Sequence, residues 1–229
     1  MHPMRFPAIA IASLLVSGEP VLADCKSDLL AVLDPTRSHG PSQQEITTAL
    51  TKSSPEMAKL LEDTFNDRTI VRSVPPDRIQ STTFRNGVLH AEAITIGALH
   101  WDRDAGSPWK ARQPRPNLGG PDATNVIAKT LGFTDGTDLL EKTVRSPECL
   151  GRGRLEGRTA NQFRFEIATP GAPTTAPSMV TKITIWLEPD TSRPIRTVTA
   201  MIGPEIETAL TINYSYDASI KIEPPTVPN

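Results

Sequence analysis

The feature that most constrains this chain is a change of period. From residue 68 onward, apolar side chains recur at alternate positions in short runs separated by turn residues. That is the pattern of half-buried strands rather than helices. Val71 and the segment Arg78–Phe84 lead into Asn86-Gly87, the two-residue signature of a tight hairpin. Val88–Ile96 reads as the returning strand, and Gly97-Ala98 as the next turn. Leu99–Asp102 and Trp109-Lys110 pair around Asp104-Ala105-Gly106. Strands resume after Cys149. Arg158–Ala168 alternates with Phe163, Phe165 and Ile167 on one face, and Met179–Leu187, Ile195–Ile202 and Glu207–Asp217 follow, with a short last strand at Ser219–Ile222.

The remaining segments read as helices and loops. Asp24–Leu33 carries apolar residues at 29, 30, 32 and 33 and stops before Pro35. Ser42 followed by Glu45 matches a capping box, and Ile46 and Leu50 share one face of the helix it would open. Ser53-Ser54-Pro55 interrupts that helix, and Met57, Leu60, Leu61 and Phe65 form the stripe of a third. Asp122–Leu131 and Thr137–Thr143 read as helices separated by Gly132 and Gly136. Gln113–Pro121 and Thr169–Ser178 are Pro-rich connections.

Residues 1–23 have the form of a secretory signal peptide. Arg5 supplies the positive charge, Phe6–Val16 is the apolar run, and Val21-Leu22-Ala23 fits a cleavage site. The apolar run falls short of the roughly 20 residues needed to span a bilayer. Asp24 before Cys25 does not suit lipidation of that cysteine, where a small residue belongs. Residues 24–229 then form a single exported domain, placed in the periplasm, with no transmembrane span. Its two cysteines, Cys25 and Cys149, are an even count in an oxidising compartment, which favours a disulfide, with two separate thiols as the alternative. Such a bridge would close a loop of about 120 residues and stabilise the fold by roughly 2–5 kcal/mol.

A long antiparallel meander with helices in two blocks is an α+β arrangement. Ile183, Ile185 and Leu187 alternate with Val180 and Trp186, so this strand is apolar on both faces. Helices across one side of a large curved sheet would leave a space between the layers. Concave, mostly apolar spaces of that kind bind apolar ligands, the alternative being a filled core.

The order of the motifs resembles the LolA/LolB/LppX-like periplasmic carriers. Glu92-Ala93-Ile94-Thr95-Ile96-Gly97, Trp101-Asp102-Arg103 and Trp109-Lys110 are similar to an E-x-I-x-G…Y-x-(R/K)…W stretch of that group. Cys149-Leu150-Gly151 leads into Leu155–Phe163, which looks like its G-x-x-a-x-x-(Y/F) strand. Lys182–Leu187, Arg193–Arg196 and Tyr214–Pro225 resemble its later strands and its ending. Trp101 stands where a Tyr is usual, and Ser192 where a Gly is usual. The resemblance implies a strongly curved antiparallel sheet, an incomplete barrel, with helices covering its open, concave side as a lid over a hydrophobic cavity. It also implies carriage of a lipid or an acylated protein across the periplasm, or a part in sensing envelope stress.

The cavity candidates on this reading are Ile94, Ile96, Trp101, Trp109, Phe163, Phe165, Ile183, Ile185 and Trp186. Asp122–Leu131 and its Pro/Gly-rich approach are the candidate lid, the alternative being an ordinary surface helix. A carrier needs no catalytic residue and no cofactor, and none is assigned. No G-x-S-x-G occurs, and His39, His90 and His100 lack metal-ligand spacing. Asp135-Gly136-Thr137-Asp138 lacks the spacing of a calcium loop. Arg152-Gly153-Arg154 with Arg158 is a small basic cluster that reads as a solvated strand end, the alternative being a contact with a phosphate or a lipid head group. A net charge of -2 argues against nucleic acid as a partner. The competing class is a non-enzymatic envelope protein that binds a protein partner in a structural or stress-sensing role.

Overall fold

The computed structural model describes residues 25–33, 39–59, 67–112, 144–167 and 180–227. The expected signal peptide, the Gln113–Pro121 loop, the helices Asp122–Leu131 and Thr137–Thr143 and the Thr169–Ser178 connection lie outside them, as does most of the expected third helix.

The described chain contains helix α1 (Cys25–Val32), eleven strands and a further helical stretch at residues 55–59. The strands are β1 (Ser42–Lys52), β2 (Asp67–Val74), β3 (Arg78–Arg85), β4 (Val88–Ile96), β5 (Leu99–Asp104), β6 (Lys110–Arg112), β7 (Val144–Leu155), β8 (Arg158–Ile167), β9 (Val180–Leu187), β10 (Pro194–Ile202) and β11 (Glu207–Tyr216). They form one antiparallel sheet in the order β6-β5-β4-β3-β2-β1-β11-β10-β9-β8-β7. Two consecutive meanders are thus joined where the first strand pairs with the last. The sheet does not close into a barrel; β6 and β7 are its two edges.

The expected hairpins form where short turns demand them. Asn86 and Gly87 both take positive φ, 50° and 77°, and join β3 to β4. Consecutive left-handed residues match the twist of paired strands, which is why Asn-Gly is so effective there. Glu156 and Gly157, at 51° and 82°, make the same turn between β7 and β8.

Three expected elements differ. Ser42–Lys52 is a strand rather than a helix. Its inward positions include the polar Ser42 and Gln44, both buried, so its alternation is hidden in a hydropathy pattern. Pairing with β11 along nearly its whole length, and with β2 over Ser42–Thr47, overrides the local capping-box signal. The strand before the Glu156-Gly157 turn begins at Val144, ahead of Cys149. Register shifts at Arg145/Glu148 and Cys149/Gly151 break its period. Ser219–Ile222 is not a strand. Ser219 donates its backbone N–H to the Asp217 carboxylate at 2.8 Å, which turns the chain. The segment from 220 to 227 then runs without regular structure. At the start of the third expected helix, Ser54 caps residues 55–59, accepting the Met57 N–H on its hydroxyl at 3.2 Å.

The two faces of the sheet differ in what covers them. On one, Leu29, Val32 and Leu33 of the α1 turn region lie one helical turn apart and pack with Val144, Phe165, Ile167, Ile183, Ile185 and Leu187. The Cys25–Cys149 disulfide ties α1 to β7, with the two Cα atoms 5.7 Å apart and a sequence separation of 124. On the other face the C-terminal segment crosses β2–β5. Ile222 packs with Ile94 and Trp101, flanked by Val74, Ile96 and Trp109, and its carbonyl accepts a 2.7 Å hydrogen bond from Arg78 Nη1. The first is the helix face of the sheet and the second its tail face. Among the described residues no helix is long and apolar enough to cross a membrane.

Candidate functional site

Residues directly opposite on neighbouring strands point to the same side of a sheet. The pairing register therefore traces each face across the molecule. One row on the helix face runs Cys149, Phe163, Ile185, Thr197, Ile212, Ile46, Thr69, Thr83, Ala91, Asp104. It is apolar over β7–β9 and polar by β2–β5. The parallel row on the tail face runs Trp186, Arg196, Asn213, Glu45, Ile70, Thr82, Glu92, Arg103.

This register separates the nine sequence candidates. Phe163, Phe165, Ile183 and Ile185 lie on the helix face, at its apolar end. The last three are buried and Phe163 partly so. Ile94, Ile96, Trp101, Trp109 and Trp186 lie on the tail face. Ile94 and Trp101 are buried there under Ile222 rather than lining a space shared with Phe165. Trp109 is held by the Arg103 guanidinium, 4.6 Å from its ring centroid, and Arg103 in turn donates to Glu92 at 2.6 Å. The tail face is laced with such solvated pairs, among them Arg68 to Glu45 and Lys182 to Glu166.

The centre of the helix face is a polar belt that sequence reasoning missed. Ser42, Gln44, Ser73, Thr197, Thr199 and Thr208 are buried there beside Ile212 and Tyr214. The hydroxyls of Ser42 and Ser73 share a 2.8 Å hydrogen bond across the β1–β2 pair. Tyr214 and Thr197 hydroxyls are 3.4 Å apart. Burial pushes the Tyr214 phenol above its usual range and outweighs the opposing contact with Thr197, so the ring stays neutral. Among the described residues, Gln44 Oε1 and Thr208 Oγ1 have no hydrogen-bond partner. The signal that could have revealed the belt is the unbroken run Ser42-Gln43-Gln44-Glu45 before Ile46, read at period two.

At the far end of the helix face, β3–β6 form a cleft of about 210 Å³, lined chiefly by Ser81, Thr83, His100, Asp102, Lys110 and Arg112. Arg112 Nε donates to both Asp102 oxygens at 2.8 and 2.9 Å, and His100 Nδ1 shares a 2.9 Å hydrogen bond with the Thr95 hydroxyl. This cleft is polar and does not suit an acyl chain.

An open antiparallel sheet built from two meanders, with a disulfide-tied helix on one face, invites comparison with solved structures. The lipoprotein LppX of Mycobacterium tuberculosis superposes with a TM-score of 0.50, at 13% identity, over 83% of this chain and 93% of that one. The chain has an LppX-like fold. LprF from Mycobacterium bovis aligns at 13% identity over 90% of this chain and 94% of its own, with a TM-score of 0.46, and MucB at 12% over 86% and 60%, with a TM-score of 0.41. No family model matches the sequence, and a search of curated proteins finds no match. The LppX-like architecture agrees with the resemblance drawn from the strand motifs, and the described sheet is antiparallel and open as that resemblance implies. Of the helical cover, the described residues contain α1.

Proposed function

We propose that the chain is an envelope carrier that holds a lipid or acyl group against the apolar end of the helix face. The observation that supports this most is the contact between α1 and β7–β9. There a floor of Phe163, Phe165, Ile183, Ile185 and Leu187 meets Leu29 and Val32 of the short helix and Leu33 just beyond its end. The helix is short, and a disulfide anchors its first residue at the sheet edge. The LppX-like fold and the signal-peptide-like N-terminus agree with an exported carrier.

On this reading the acyl chain replaces α1 on the floor. Lifting three aliphatic side chains off the sheet costs roughly 5–9 kcal/mol. An acyl chain regains about 0.8 kcal/mol per methylene, so roughly 6–11 buried methylenes offset the displacement. Short chains are excluded and long ones admitted. The Cys25–Cys149 bond keeps the displaced helix at the edge of the sheet, ready to close again.

The test is native mass spectrometry, with organic extraction, of protein produced in an oxidising periplasm. A bound species carrying a long acyl chain supports the reading. Protein that stays apo when challenged with long-chain lipids, while folded and oxidised, contradicts it.

A further inference from the structure

The sequence cluster Arg152-Gly153-Arg154 acquires a definite position in the sheet. After the register shift at Cys149/Gly151, Arg152 pairs with Asn161 and Arg154 with Thr159. Asn161 in turn pairs with Leu187, a member of the α1 cluster. Both arginines therefore lie on the helix face, at the margin of the apolar floor. They are exposed, and among the described residues neither has a hydrogen-bond or ion-pair partner. Their basic neighbours differ. Arg158 is committed to Glu188 at 2.9 Å, and Arg196 to Glu156 and Asn213 at 2.5 and 2.6 Å. Gly151 and Gly153 flank Arg152, leaving its approach free of neighbouring side chains on its own strand.

We infer that Arg152 and Arg154 form a head-group subsite for a phosphate-bearing lipid whose acyl chain occupies the floor beside them. Residues two apart on a strand are separated by about 6.6 Å, a span that one phosphate with its ester oxygens can bridge. Guanidinium forks match phosphate oxygens in pairs, and each such charge-assisted contact is stronger than a neutral hydrogen bond. Asn161 adds a polar side chain between the arginines' end of the sheet and Leu187. The bulge at Leu150 is what aligns this charge with the apolar floor; an unbulged strand would turn Arg152 and Arg154 to the tail face. This inference rests on the carrier reading and adds the chemical class of the head group.

The experiment is calorimetric titration of the oxidised full chain with three probes: a phosphatidylglycerol, the diacylglycerol of the same acyl chains, and inorganic phosphate. Each is repeated on R152Q/R154Q, on R152K/R154K and on R145Q, an exposed arginine of the same strand on the other face. We expect the glutamine pair to weaken phosphatidylglycerol binding at least about tenfold, with the loss shrinking as salt rises, and to leave diacylglycerol binding unchanged. The lysine pair regains part of the loss, and R145Q shows none. Equal phosphatidylglycerol affinity in wild type and R152Q/R154Q, with both lipids still binding, overturns the subsite and leaves the carrier reading standing. Arginine-dependent binding of inorganic phosphate as tight as that of phosphatidylglycerol overturns the lipid assignment in favour of a free-phosphate site. Failure of wild type to bind either lipid overturns the carrier reading and the subsite with it.

Discussion

Ile185 and Ile94 point to opposite faces of one sheet. Ile185 faces α1 and packs in the cluster around Leu29, whereas Ile94 faces the C-terminal segment and packs with Ile222. The two apolar clusters therefore do different work. One is proposed to exchange its helix for a ligand, and the other fastens the tail.

The tail cluster predicts a measurable clasp. Trp101→Ala should destabilise the chain by about 3–5 kcal/mol, as loss of a buried aromatic does. Ile222→Ala should cost about 2–4 kcal/mol. The two share one contact, so the double variant should cost less than the sum by 0.5 kcal/mol or more, roughly. Urea unfolding of the four proteins gives the cycle. Lipid binding should be unaffected in any variant that remains folded, because the clasp is on the other face.

Reduction of Cys25–Cys149 releases a 124-residue constraint. Stability should fall by about 2–5 kcal/mol on the loop-entropy estimate. Amide exchange should rise most in α1, which loses its anchor at β7. Thermal unfolding with and without reductant, followed by exchange mass spectrometry, checks both.

Tyr214 makes stability sensitive to alkali. Burial raises its folded-state pKa above the 10.0 of an exposed tyrosine. The neutral ring is favoured by the fold, so its contribution is complete below about pH 10, where the unfolded phenol keeps its proton, and is lost as pH climbs toward the higher folded value. Tyr214→Phe should flatten the fall in stability above pH 10. At neutral pH it should cost no more than about 1 kcal/mol, the worth of its contact with Thr197.

Ser192 occupies the turn between β9 and β10 with φ at 53°, where its N–H reaches the Glu188 carbonyl at 2.9 Å. A left-handed non-glycine residue carries strain of about 1–2 kcal/mol. Glycine would relieve it at the expense of a more flexible unfolded chain. Ser192→Gly should leave stability unchanged or raise it by up to about 1 kcal/mol, and Ser192→Val should lower it, as thermal denaturation will show.

Much of the sheet was legible because its hairpins announce themselves. Asn86-Gly87 and the alternation of Phe163, Phe165 and Ile167 each locate a strand without reference to its neighbours. β1 was not legible, since Ser42 and Gln44 occupy inward positions and mimic a helix cap. β7 was not, since its bulges put Cys149 and Arg152 on the same face across an odd interval. The candidate site suffered from a deeper ambiguity. Alternation says that Ile94 and Ile96 share a face, and that Ile183 and Ile185 share one. Only the register through five intervening strands says whether the two faces are the same, and they are not.

The most direct test of an acyl chain on the helix face uses the placement of the tryptophans. Trp101, Trp109 and Trp186 all lie on the tail face, and Phe163 lies on the helix face beside Ile185. Titration with a long-chain lipid brominated along its acyl chain should leave the fluorescence of the wild-type protein nearly unchanged and quench the added tryptophan of a Phe163→Trp variant. Quenching of Trp101 and Trp109 with residue 163 silent, or no saturable binding to the folded, oxidised chain, would contradict the account.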